Sequence, residues 1–127
     1  MLKDYFFKYL IEQLQKNNFS HVILKANENI KKYSNEFDFW NIRAIAFTQL
    51  KKPKEALLNF EKAYSLDKKN PVPLANIGKL LYEHNKFQEA YDYYLRSYNL
   101  DPKYSPALLG VINCLLKQKK YENCIDL

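Results

Sequence analysis

Few residues in this chain of 127 are equipped for chemistry. Two histidines, His21 and His84, and two cysteines, Cys114 and Cys124, stand against 14 carboxylates. General acid–base catalysis needs titratable groups that converge on one point, and a metal site needs several nitrogen, sulfur or oxygen ligands. The histidines are far apart near predicted helix ends or turns, where a solvated side chain fits better than a ligand. Cys114 and Cys124 form neither a disulfide framework nor a ligand cluster. They can approach across an antiparallel helix pair, and buried free thiols are ordinary core residues. The two glycines, Gly78 and Gly110, are too few for a glycine-rich phosphate loop. Catalytic residues, a metal, a cofactor and enzyme activity are therefore not expected. Hydrogen bonding and charge remain: asparagine and glutamine amides both donate and accept, and 18 of the 20 basic residues are lysine.

The length suggests one domain. Hydrophobic residues make up 47% of the chain, enough to build a core. The longest apolar runs fall far short of a bilayer span, so no membrane partner is expected. The N-terminus, MLKDYFFKYLIEQLQKNN, mixes charged and apolar residues instead of presenting the apolar run of a signal peptide. These features read as a soluble, cytoplasmic protein. The net charge of +6 accompanies an abundance of Lys, Asn, Ile, Tyr and Phe. An AT-rich genome produces that bias without selection for nucleic acid.

The stretch NKFQEAYDYYLRSYNLDP (85–102) carries four of the eleven tyrosines. Sliding the chain against itself by 34 residues shows why. Residues 37–70 lie over 71–104 without a gap, with identities at Lys52/Lys86, Glu55/Glu89, Ala56/Ala90, Tyr64/Tyr98, Leu66/Leu100, Asp67/Asp101 and Lys69/Lys103. Such a period marks a stacked-repeat architecture. Trp40, Ala44 and Phe47 share one helical face, as do Leu74, Ile77, Gly78 and Leu81. Second helices are predicted from Pro53 to about Asp67 and from Phe87 to about Leu100. Asn70-Pro71 and Ser105-Pro106 pair a capping side chain with a first-turn proline, and Asn85 with Gln88 suits a capping box. Ala44 with Ala56, and Gly78 with Ala90, occupy predicted close approaches of two helices. Tyr94 and Tyr98 are expected to pack on neighbouring helices. The recurrent Glu55, Asp67, Glu89 and Asp101 suit capping and surface pairing.

These residues resemble the tetratricopeptide repeat family, whose pattern is Trp, two residues, Leu-Gly, two residues, Tyr, then Ala, three residues, Phe, and finally Pro. Residues 71–104 match it as Leu74, Ile77-Gly78, Leu81, Ala90, Tyr94 and Pro102. Residues 37–70 match as Trp40, Ala44, Phe47, Ala56 and Phe60, with Arg43 at the usual leucine and Lys68 at the usual proline. The resemblance implies an all-α, right-handed helical-repeat solenoid of stacked antiparallel helix hairpins. It would form one domain over 1–127: a divergent unit 3–36 (Phe6, Leu10, Phe19, Val22, Ala26), units 37–70 and 71–104, and a partial unit 105–127 (Leu108, Val111, Leu115, Cys124). The last helix is expected to run about seven residues past Leu127. YENCIDL would leave Leu108 to Leu116 poorly covered, suggesting a fragment of a longer protein or self-association through that end.

By the same resemblance, first helices line a concave groove that accepts an extended peptide or a partner helix. The groove residues would be Asn41, Ile45, Thr48 and Gln49; then Asn76, Lys79, Tyr82 and Glu83; then Leu109, Asn113 and Lys117. Tyr5, Phe7, Lys8 and Ile11 would join from upstream. The function implied is a protein–protein interaction scaffold, expected as the recruiting part of a larger protein. The family's carboxylate clamp is not expected, because Asn41, Ile45, Pro106 and Gly110 stand where most of its basic and amide residues belong. The rival reading uses basic edges (Lys51, Lys52, Lys54, Lys86, Lys117, Lys119, Lys120; Lys31, Lys32, Lys68, Lys69, Lys103) to hold nucleic acid. No paired, base-reading side chains recur to support it.

Overall fold

The structure, a computed structural model, describes residues 2–118, and every regular element among them is helical. By its backbone contacts the chain divides into two compact units, 1–67 and 68–127. The first holds α1 (Leu2–Gln15), α2 (Phe19–Lys32), α3 (Phe37–Gln49) and α4 (Pro53–Leu66). The second holds α5 (Val72–Glu83), α6 (Phe87–Leu100) and α7 (Ser105–Lys117). None of the helices described is long and apolar enough to cross a membrane.

Each hairpin reverses in the same way. Asn17, Lys51 and Asn85 have φ of 63°, 62° and 63°, and they are one 34-residue period apart. In each case the following amide reaches back across the turn, from Asn18 to Gln13 O, Lys52 to Phe47 O and Lys86 to Leu81 O (3.0, 2.9 and 2.9 Å). This is the Schellman closure, in which one left-handed residue lets the last carbonyls of a helix find donors. Asn85 is therefore committed to ending α5 and is not free to cap α6. The expected Asn85–Gln88 capping box does not form, and the Gln88 amide reaches Asp92 Oδ1 at 3.3 Å instead. The next turns use side chains: Asn70 Oδ1 accepts from the Val72 amide, and Asp101 Oδ1 from the Lys103 amide, both at 3.0 Å. Ser105 lies inside α7 as its first residue and makes no cap bond. Pro53 opens α4 where its missing N–H costs nothing.

The core of the first unit packs Leu10 of α1 with Val22, Ala26 and Ile30 of α2 and Phe39, Ile42 and Ala46 of α3. Phe39 meets Phe7 edge-on and stacks on Tyr33 (centroids 6.2 and 6.1 Å). Ala44 and Ala56 are fully buried. In the second unit Ala75, Ala90, Tyr94, Val111, Cys114 and Leu115 form the core. The Tyr94 ring lies against both glycines: a Cβ at Gly78 would meet it at 3.0 Å, and one at Gly110 would overlap it. The glycines make room for a ring between α5 and α7, at helical φ, and are not needed for conformational freedom. Ser97, fully buried, donates to Pro71 O at 2.7 Å and ties α6 to the start of α5.

Two stability changes follow. Gly110→Ala should lower stability by about 1–3 kcal/mol, because the ring is confined and must move. Gly78→Ala should be nearly neutral, since mild crowding is offset by the roughly 1 kcal/mol helix preference of alanine. Urea denaturation of both variants checks the order. Lys51→Gly should raise stability by about 1 kcal/mol by removing a side chain from the left-handed region, read as a higher urea midpoint.

Candidate functional site

The residues expected to bind a partner come from the first helices of successive hairpins. Ile45, Lys79 and Asn113 are one period apart, as are Gln49, Glu83 and Lys117. In the first unit Asn41, Ile45 and Thr48 are half-buried on α3, and Gln49 is exposed. The Thr48 hydroxyl donates to Ala44 O at 3.0 Å, so its proton is spent within α3. Of the upstream residues, Tyr5 is 70% exposed and Ile11 partly so, whereas Phe7 packs into the core against Phe39.

In the second unit α5 and α7 meet directly. Lys79 and Glu83 are exposed, and Asn76 is half-buried. On α7, Leu109 is 60% exposed, Asn113 half-buried and Lys117 exposed. Tyr82 is half-buried, packs on the core and meets Phe87 edge-on at 5.1 Å. Lys117 carries its ammonium 6.0 Å from the same Phe87 ring. Leu116, absent from the expected set, is 45% exposed beside Lys117. Unit two thus combines exposed leucines on α7 with amides and two lysines on α5 and α7. Such a face can desolvate an apolar side chain while hydrogen bonding a backbone.

Arg43, noted above for standing at a usual leucine, organises a polar network in the first unit. Its Nε donates to Asn59 Oδ1 and a terminal nitrogen to Asn27 Oδ1, both at 2.6 Å. Asn59 is buried and passes its own amide proton to Glu55 O at 2.7 Å. The guanidinium lies 4.8 Å from the centroid of Trp40, and Lys62 Nζ lies 5.7 Å from the same ring. Trp40 Nε1 donates to Ser34 O at 2.9 Å, which fixes the indole. Burial pulls the Arg43 pKa below its usual value. The only hint in the sequence was a charged residue at an apolar position.

The groups considered for chemistry are held by packing. His21 is not simply solvated: its Nε2 and the Tyr9 hydroxyl are 2.7 Å apart, joining α2 to α1. His84 is exposed, with Nδ1 2.9 Å from Leu80 O. Cys114 is fully buried beside Tyr94, and burial pushes its thiol up to about 11. The Tyr94 hydroxyl is raised too, by burial first and by Cys114 second. Cys124, Lys119 and Lys120 lie outside the described residues. Among those described, no three His, Cys, Asp or Glu side chains come together as a metal site would require.

The model of the family described as Anaphase-promoting complex, cyclosome, subunit 3 matches residues 49–127. The chain is similar to Tetratricopeptide repeat protein 16 of Mus musculus, with 36% identity over 97 residues. That stretch is 71% of this chain and 13% of the mouse protein, so the chain spans a small part of this relative. Among solved structures, pilF of Pseudomonas aeruginosa superimposes with a TM-score of 0.83 at 25% identity, covering 93% of this chain and 54% of that one. The Sgt2 TPR domain from Aspergillus fumigatus gives 0.83 at 13% identity, covering 95% and 82%. The Yersinia enterocolitica type III secretion chaperone SycD, in complex with a peptide of the translocator YopD, gives 0.81 at 11% identity, covering 91% and 93%. At such identities the last two speak for the fold alone, an all-α helical-repeat solenoid.

The buried thiol makes a prediction about reactivity. The thiolate is the nucleophile, so a Cys124→Ser chain should react with a disulfide reagent at pH 8 about a hundredfold more slowly when folded than when unfolded. Raising the pH toward 11 should narrow the gap, because the folded thiol then ionises. Equal rates at pH 8 would show that Cys114 is accessible and ionisable.

Proposed function

Since the chain belongs to the family described as Anaphase-promoting complex, cyclosome, subunit 3, a tetratricopeptide-repeat family, we propose that it is a protein-interaction scaffold. Its first helices hold an extended peptide or a partner helix. Asn41, Ile45, Thr48 and Gln49 act in the first unit, and Asn76, Lys79, Tyr82, Glu83, Asn113 and Lys117 in the second. The observation that carries this reading is the side of unit two where α5 and α7 meet. It pairs the exposed leucines of α7 with half-buried amides and exposed lysines.

The helices are held by packing before any partner arrives, so binding costs the receptor little ordering entropy. Amides that donate and accept suit backbone capture that tolerates variation in sequence. The likeness to a chaperone solved with a bound peptide supports the same reading. Tetratricopeptide families are generally non-enzymatic, and we read this chain likewise as a binding module that acts in the cytoplasm as the recruiting part of a larger protein.

The test is affinity capture with mass spectrometry, comparing the chain with its Asn76→Ala/Lys79→Ala variant, both shown by circular dichroism to be equally helical. A discrete set of proteins should be lost or reduced at least about tenfold in the variant, as expected when two polar contacts are removed. An unchanged set sinks the assignment and turns attention to the basic edges or to self-association.

A further inference from the structure

A second binding surface lies on the other side of α3. At about 100° per residue, Trp40 and Arg43 share one side of that helix, while Asn41, Ile45, Thr48 and Gln49 centre on the opposite side. The geometry points to the Trp40–Arg43–Lys62 cluster as a binding site for a carboxylate side chain of an acidic partner peptide. This goes beyond the groove reading and does not depend on it.

Buried and half-buried charges in proteins are normally paired with an opposite charge, because desolvation is otherwise uncompensated. Arg43 is half-buried, yet its hydrogen-bond partners are the neutral amides of Asn27 and Asn59. Those bonds use two of the five guanidinium N–H donors, and the rest meet no acceptor among the described residues. Lys62, exposed on α4, brings a second cation to the same indole. Neither cation has an ion pair among the described residues. Burial lowers the Arg43 pKa, and no carboxylate among the described residues offsets it.

The remaining N–H donors suit an oxyanion, with Lys62 adding a point charge and Trp40 a flat apolar wall. Asn27 and Asn59 hold the guanidinium in place, so little freedom is lost on binding. Two cations around one ring suit one carboxylate, whereas a nucleic-acid backbone needs a row of them. The net charge of +6 favours encounter with an acidic chain.

Trp40 is the chain's one tryptophan, so its fluorescence reports this site directly. The chain is titrated with a hexaglutamate peptide blocked at both ends, a blocked hexaglutamine peptide and a phosphoserine peptide of equal length. Hexaglutamate should give a saturable change in Trp40 emission, and hexaglutamine none. Lys62→Glu should weaken hexaglutamate binding about tenfold or more, while Lys16→Glu, an equal charge change in the turn after α1, should leave it unaltered. Arg43→Leu, which installs the leucine usual at this position, should abolish the response in a chain whose helicity is retained. No saturable change overturns the proposal. So does equal weakening by Lys16→Glu and Lys62→Glu, which would mean attraction to net charge alone. Binding of the phosphoserine peptide without binding of hexaglutamate would replace carboxylate by phosphate and overturn it equally.

Discussion

The hairpin turn is the constraint from which the remaining geometry follows. Antiparallel helices four residues apart in the chain need one residue in the left-handed region, and Asn17, Lys51 and Asn85 supply it. The turn satisfies the last carbonyls of the first helix and sets where the second helix starts. Which faces of the two helices meet is thereby decided. A repeat of fixed length is the natural outcome: inserting one residue would rotate every following side chain by about 100° and bury the wrong face.

Within that frame the two units fill corresponding positions differently. At the register shared by Arg43 and Ile77, the second unit buries an isoleucine and the first places a guanidinium. The same shift relates Asn59 to Tyr93 and Lys62 to Arg96. A cation beside an aromatic ring occurs in both units, with Lys62 near Trp40 and Arg96 5.1 Å from Tyr93. The first unit spends hydrogen bonds from α2 and α4 to hold its arginine. The second spends both of the chain's glycines to admit the Tyr94 ring. The first solution leaves unmet donors near the surface.

Helices held in this way present side chains without first having to order them. That property connects the core to a binding role: the residues that bury Tyr94 and Cys114 also set the separation of α5 and α7, and hence of Lys79 and Asn113. On the proposed reading a partner would meet a prepared face, so a few well-placed contacts would suffice for affinity.

The 34-residue period, the helix starts at Pro53 and Phe87, the small residues Ala44, Ala56 and Gly78 and the packing role of Tyr94 were legible in the sequence. All rest on local periodicity and on steric size, which a sequence records directly. The left-handed turn residues were not legible, because asparagine and lysine do not demand that conformation as glycine does. Asn85 could be read equally well as a cap for the helix that follows. Nor did the sequence reveal that Gly110 faces the same ring as Gly78, that His21 meets Tyr9, or that Arg43 reaches Asn27 and Asn59. Those pairings join residues on different helices, and only the packing of helix on helix, within a hairpin and from one hairpin to the next, brings them within reach. The sequence by itself determined an all-α helical repeat; tertiary packing decided which polar groups are satisfied inside it and which are not.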